Sequence, residues 1–323
     1  MPTVRQQVRG AVENALLRPG ADPAYADGDD SAWTSLDWAA MTRRLEVLGR
    51  EVNVVDTGGD KPPLLFIHGL GGRWQNWLLN IPQFMDTHRV VAPDLPGFGD
   101  SEMPAEDISI SGYAKVIDAL CDQLGVECPL VVGNSMGGFV GAELATSFPT
   151  RVERMVLVSA AGLSTEYLRR QPLLTVARLW AVNATWVGAR GANVVKRPRL
   201  RRAALQFLVR YPEKLSPQLT FELVEGTGRP GFIPALEALT GYSFREHLAG
   251  IEVPVLIVWG RNDMLVPVGD AREYAELIGD NARAVIFEDT GHLPMLERPS
   301  RFHDLLGEFI AGDLSPEVEG VSA

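Results

Sequence analysis

Ser135 stands in Gly133-Asn134-Ser135-Met136-Gly137, a G-x-S-x-G pentapeptide followed by one more glycine, Gly138. A serine hydroxyl attacks a carbonyl only when a base takes its proton and a carboxylate orients that base. The chain holds five histidines: His68, His88, His247, His292 and His303. His292, in GHLPMLERP, falls in a loop just past the last predicted strand. His88 enters a strand from its N-terminal end, and His303 lies on the terminal helix, so both read as structural. His247 falls in or near a helical insertion and could only line a pocket. For the carboxylate, Asp263 in GRNDMLVP follows the preceding strand. Its nearest rival, Asp270, falls where the next helix begins and suits a helix N-terminus. The chain order Ser135, Asp263, His292 is nucleophile, acid, base.

Acyl transfer also needs donors aimed at the oxygen that gains charge. One candidate is the backbone N–H of Met136, at the N-terminus of the helix that follows the serine. The other is the N–H of Leu70 in His68-Gly69-Leu70-Gly71-Gly72, where glycines let the backbone approach a substrate. His68 itself reads as a residue that orders this loop. The elbow glycines, Gly133 and Gly137, remove side chains that would collide where a strand turns sharply into a helix.

Those residues need a scaffold that brings distant loops together. PLLFIHG, RVVAPDL, PLVVG and RMVLVS are short apolar strands of the fully buried kind, separated by helical segments such as SGYAKVIDALCDQLG and SMGGFVGAELATSFP. Strand and helix in alternation indicate a parallel sheet covered on both faces. RRLEVLGREVNVVDTGG, alternating about Gly49, predicts a hairpin ahead of it. The alternation stops near Gly162 and resumes at VPVLIVWG and ARAVIFED, with PSRFHDLLGEFIAG as the closing helix. The predicted organisation is an N-terminal helix and arm over 1–42, a core over 43–162 and 249–312, a helical cap insertion over 163–248, and a flexible tail over 313–323. Within the arm, the acidic, small-residue stretch from about 20 to 32 reads as a flexible loop.

The chain has 323 residues, 46% hydrophobic and 22% charged, with a net charge of −11. That composition fits a folded soluble protein and disfavours nucleic acid as a partner. Residues 165–214 break the acidic trend, with eleven basic residues against Glu166 and Glu213, about +9 against about −20 for the remainder. A solvated basic face paired with the acidic body accounts for this, and so does a surface that meets anionic lipid headgroups or steers an anionic substrate. A homo-oligomer stays open. Cys121 and Cys128 fit no zinc or redox spacing and read as free thiols, with a disulfide as the alternative. The first 20 residues lack the apolar core of a signal peptide, and no apolar run approaches a membrane span, so the expected location is the cytoplasm.

HGLGG, DLPGFGDSEMP, GNSMGG, GRNDMLVP and GHLPMLERP together resemble the α/β-hydrolase-fold superfamily, of the serine esterase/lipase type, across roughly residues 43–312. The resemblance implies a cap over the active site at 163–248, and a loop of Asp94 and Pro96–Gly99 on the active-site side without a catalytic role. Epoxide hydrolases and haloalkane dehalogenases of this fold use an aspartate nucleophile, against Ser135 here. GNSMGG is also similar to the elbow of carbon–carbon bond hydrolases that act on dienone products of aromatic degradation. Those show a glycine-proline step after the first HG, which HGLGGRWQNW lacks. Cofactor-free perhydrolases or haloperoxidases, with a simpler cap, are a further relative. The expected activity is hydrolysis of medium-chain or monoacylglycerol-like esters, with no metal or organic cofactor. The expected apolar wall comes from Leu173, Leu174, Leu179, Trp180 and Trp186, then Leu205, Phe207 and Leu208. A ligand receptor that binds without turnover is the reading from another class.

Overall fold

A computed structural model of the chain describes residues 21–164 and 195–312. The helix expected over the first 20 residues, the tail 313–323 and the wall residues Leu173 to Trp186 lie outside the described residues.

Eight strands form one sheet in the order β1-β2-β4-β3-β5-β6-β7-β8. They are β1 (Thr42–Val47), β2 (Arg50–Asp56), β3 (Pro63–Ile67), β4 (Arg89–Pro93), β5 (Leu130–Asn134), β6 (Arg154–Val158), β7 (Val255–Gly260) and β8 (Ala282–Phe287). Only the pairings of β2, with β1 and with β4, are antiparallel. The remaining pairs run parallel. The hairpin about Gly49 is therefore β1–β2, and the order reverses about β3. Loops leaving β3, β5, β7 and β8 emerge at one edge, where open α/β sheets bind ligands.

Strand alternation splits the apolar residues between two layers. Leu65, Ile67, Val131, Leu157 and Ile257 face one core, and Leu64, Phe66, Val132, Val156 and Leu256 face the other. Over the first lie α1 (Ile110–Leu124), α2 (Met136–Ser147) and α6 (Gly269–Ile278); over the second lies α7 (Pro299–Ala311). Each fully buried Leu or Phe contributes about 1.5–3 kcal/mol. Between β6 and β7 the described residues form α3 (Pro198–Leu205), α4 (Pro217–Glu225) and α5 (Phe232–Gly241). α3 and α4 pack into the second core, and α5 packs into the first.

The stretch from 21 to 32, expected as a flexible loop, is docked on the body. Tyr25 and Trp33 are buried. The Tyr25 hydroxyl donates to Glu297 Oε2 at 2.8 Å and accepts from the Tyr211 N–H at 2.8 Å. Asp22 accepts from both Arg298 Nη1 and Nη2 at 2.9 Å. Asp29 accepts from the Ser31 N–H at 2.8 Å and caps the turn Asp30–Thr34. Asp22 and Asp29 thus serve as hydrogen-bond acceptors, and the buried Tyr25 ring packs the stretch against the body.

Candidate active site

Ser135 joins β5 to α2 with φ 55° and ψ −118°, a conformation non-glycine residues rarely adopt. The surrounding bonds enforce it: its N–H donates to Val158 O at 2.9 Å, and its carbonyl accepts from the N–H groups of Phe139 and Ala161 at 3.2 and 3.0 Å. Close packing explains the glycines. A Cβ on Gly133 would overlap the Gly137 carbonyl, and a Cβ on Gly137 would overlap the carbonyl of Ile67 at the end of β3. The hydroxyl is left half-buried at the sheet edge.

His292, in the loop after β8, is buried, and its Nδ1 lies 2.7 Å from Asp263 Oδ2. Asp263, in the loop after β7, turns its other oxygen to the Leu265 and Val266 N–H groups at 2.8 and 2.9 Å. Both carboxylate oxygens are thus occupied, which fixes His292 with its proton on Nδ1 and leaves Nε2 as the acceptor. Among the described residues Nε2 takes no partner. Asn134, next to the serine, donates from Nδ2 to Val158 O at 3.1 Å and to His292 O at 3.3 Å, so strand β5 and the histidine loop are tied directly.

The loop after β3 closes against the elbow: a Cβ on Gly69 would lie 3.0 Å from the Ser135 Cβ. His68, fully buried, orders this loop. Its Nδ1 donates to Gly69 O at 2.8 Å, and its Nε2 accepts from the Leu95 N–H at 2.9 Å. Burial lowers its pKa, consistent with a neutral ring. The Leu70 and Met136 N–H groups donate to no acceptor among the described residues; Met136 opens α2, where the first N–H groups have no partner within the helix. Asp94 accepts from the Trp74 N–H, Asn53 Nδ2 and the Asp100 N–H at 2.8–3.0 Å, and so ties its own loop to β2 and to the loop after β3.

Ser135, His292 and Gly69–Gly72 line one cavity that opens to solvent. Leu205, Leu208, Leu223, Val224, Phe232, Leu236 and Leu239, from between β6 and β7, line it together with Leu265, Val266 and Leu293. Phe207, expected in that wall, is instead 41% exposed. Phe207 lies in the turn beyond the end of α3, from which Leu205 and Leu208 reach the cavity while Phe207 faces solvent. Asp270 sits in the first turn of α6 and accepts from the Ser164 N–H at 2.9 Å. Burial raises its pKa to about 6, against the lowering effect of the Ser164 bond. It makes no bond to His292.

Three contributions escaped sequence reasoning: the Asn134 tie, the Glu297 carboxylate against the histidine loop, and most of the pocket wall from α4 and α5. The wall had a signal in the apolar spacing of Leu219, Leu223 and Val224 and of Phe232, Leu236 and Leu239; the other two had none.

A family model of the alpha/beta hydrolase fold matches residues 62–299, and the chain belongs to that family. It is 30% identical over 298 residues to the dihydrolipoyllysine-residue acetyltransferase component of the acetoin cleaving system of Cupriavidus necator, spanning 90% of this chain and 74% of that protein. It is also 30% identical over 290 residues to 2-hydroxymuconate semialdehyde hydrolase of a Pseudomonas species, spanning 83% and 93% respectively. A solved N-acyl homoserine lactone degrading enzyme superposes with a TM-score of 0.63 at 26% identity, covering 83% of this chain and all of that one.

Proposed function

We propose that the protein is a serine hydrolase of carboxylic esters, preferring medium-chain or monoacylglycerol-like substrates. The observation that carries this reading is the His292–Asp263 pair at 2.7 Å lining one apolar cavity with Ser135 on its strained turn. Ser135 Oγ attacks the ester carbonyl while His292 Nε2 takes its proton. Asp263 holds the ring orientation and stabilises the imidazolium. The oxyanion is met by the Leu70 and Met136 N–H groups. As the intermediate collapses, the C–O bond to the alcohol breaks and His292 returns its proton to the leaving oxygen. A water deprotonated by His292 then attacks the acyl-enzyme and releases the acid and Ser135.

The same reading takes 43–162 with 249–312 as the hydrolase core and 163–248 as a cap. It takes 1–42 as an arm and 313–323 as a tail, and places the protein in the cytoplasm. Among the described residues no helix is long and apolar enough to cross a membrane. Lys196, Arg197 and Arg199 are exposed and give the cap a basic outer face suited to anionic lipid headgroups.

The second reading is carbon–carbon bond hydrolysis, favoured by the identity to 2-hydroxymuconate semialdehyde hydrolase. The wall is mostly apolar, with Asn76, Ser164 and Thr227 as polar exceptions, and among the described residues it carries no Lys or Arg, which favours an acyl chain over a substrate bearing a carboxylate. The test is kcat/KM of the purified chain on p-nitrophenyl esters from acetate to dodecanoate and on a dienone carbon–carbon substrate. The ester reading expects a rise from acetate to octanoate and background rates on the dienone. A dienone rate above every ester overturns it, as does a series that peaks at acetate and collapses by octanoate.

A further inference from the structure

Glu297 closes the short turn Pro294–Glu297 and is completely buried. Four donors converge on its carboxylate. Oε2 accepts from the Tyr25 hydroxyl at 2.8 Å, the Arg210 N–H at 2.8 Å and the Gly291 N–H at 2.9 Å. Oε1 accepts from the Leu293 N–H at 3.0 Å. Gly291 and Leu293 are the two neighbours of His292 in the chain. Tyr25 belongs to the N-terminal arm, and Arg210 to the segment after α3.

The arrangement is denser than a turn requires. The Tyr25 hydroxyl that donates to Glu297 also accepts from the Tyr211 N–H, so arm and insertion meet on the same carboxylate. The His292 N–H donates to Leu208 O at 3.0 Å, which brings the insertion's backbone alongside the histidine itself. Burying a carboxylate is costly, and burial raises the pKa of Glu297. A group kept at that cost with every partner a donor acts as a fixed acceptor in a saturated network.

Resting on the reading of His292 as the base, we propose that Glu297 is a positioning residue for His292, and that through it Tyr25 and Arg210 make the arm and the insertion part of the active site. Both carboxylate oxygens are needed. In Glu297→Gln the amide nitrogen must face either the Leu293 N–H or the three donors at Oε2, and one side of the histidine loop loses its acceptor. Tyr25→Phe removes one donor and leaves the ring in place.

Two measurements on the full chain test this. The first is kcat per active site titrated with a fluorophosphonate, which discounts misfolded protein. The second is the proton NMR resonance of the His292 Nδ1–H bonded to Asp263, assigned by its absence in His292→Ala. In Glu297→Gln we expect kcat per titrated site to fall by about 10- to 100-fold with KM within about threefold, and in Tyr25→Phe by about three- to tenfold. The resonance should shift or broaden in both. A role confined to stability would lower the melting temperature and leave both readouts unmoved. If Glu297→Gln fails to fold, Tyr25→Phe decides. If the chain turns over no ester, the functional reading fails and the resonance alone decides the positioning role. A resonance unchanged in every folded variant, or kcat per titrated site within twofold of the unsubstituted chain, overturns the proposal.

Discussion

His292 Nδ1 and Asp263 Oδ2 lie 2.7 Å apart although they leave different strands, β8 and β7. The Asp263 side chain is sealed from solvent, and its second oxygen is held by two backbone N–H groups. The pair has one arrangement available to it. An imidazole so held presents Nε2 as the acceptor, which is the state a general base must be in before the reaction starts.

Asp263→Asn should leave the fold in place, since the amide oxygen can still accept from Leu265 and Val266. Its NH₂ then faces His292 and forces the other tautomer. We expect kcat on p-nitrophenyl butyrate to fall by about 10³- to 10⁴-fold with KM little changed. Steady-state kinetics check this.

Asp270 provides the contrast. Burial raises its pKa from 3.8 to about 6, so the folded state holds the proton more tightly than the unfolded chain. Its contribution to stability is therefore present below about pH 4 and lost as the pH rises through about 6. Asp270→Asn keeps an acceptor for the Ser164 N–H and removes the buried charge. Urea denaturation should find the variant more stable at pH 8 by on the order of 2 kcal/mol, with the advantage vanishing by pH 4. Ester turnover should stay within about threefold, since Asp270 does not touch His292.

Gly137→Ala tests the elbow. Its Cβ would meet the Ile67 carbonyl, and backbone at the end of a central strand cannot yield as a flexible side chain can. A loss of about 1–3 kcal/mol in stability is expected, with a large loss of turnover because Ser135 moves with the strand. Denaturant melts and kinetics on the same preparation separate the two effects.

Leu236 lies on α5 and lines the cavity with Leu239. Leu236→Trp should shorten the space for an acyl chain. The kcat/KM for octanoate is expected to fall by about tenfold or more while acetate changes by less than about threefold. A uniform loss across chain lengths would place the acyl chain elsewhere.

The parts of the molecule legible in the sequence are those whose cause is local. Buried parallel strands announce themselves as short apolar runs, and Gly133 and Gly137 are required by a turn five residues wide. Asp263 and His292 could be placed because each follows a recognisable strand. The contacts that escaped are long-range. Tyr25 and Glu297 are 272 residues apart, and no pattern within either segment marks the other as its partner. Phe207 faces solvent for a related reason: it lies in the turn after α3, where apolar content alone does not show which side chains face inward.

The central claim is that Ser135 forms a covalent acyl-enzyme. The direct measurement is rapid-quench mass spectrometry of the chain during turnover of p-nitrophenyl octanoate, with peptide mapping and Ser135→Ala in parallel. We expect a burst of about one p-nitrophenolate per active site and an octanoyl adduct on the peptide containing Ser135, both absent in the variant. Turnover by Ser135→Ala at the rate of the unsubstituted chain, or an adduct confined to another residue, would contradict it.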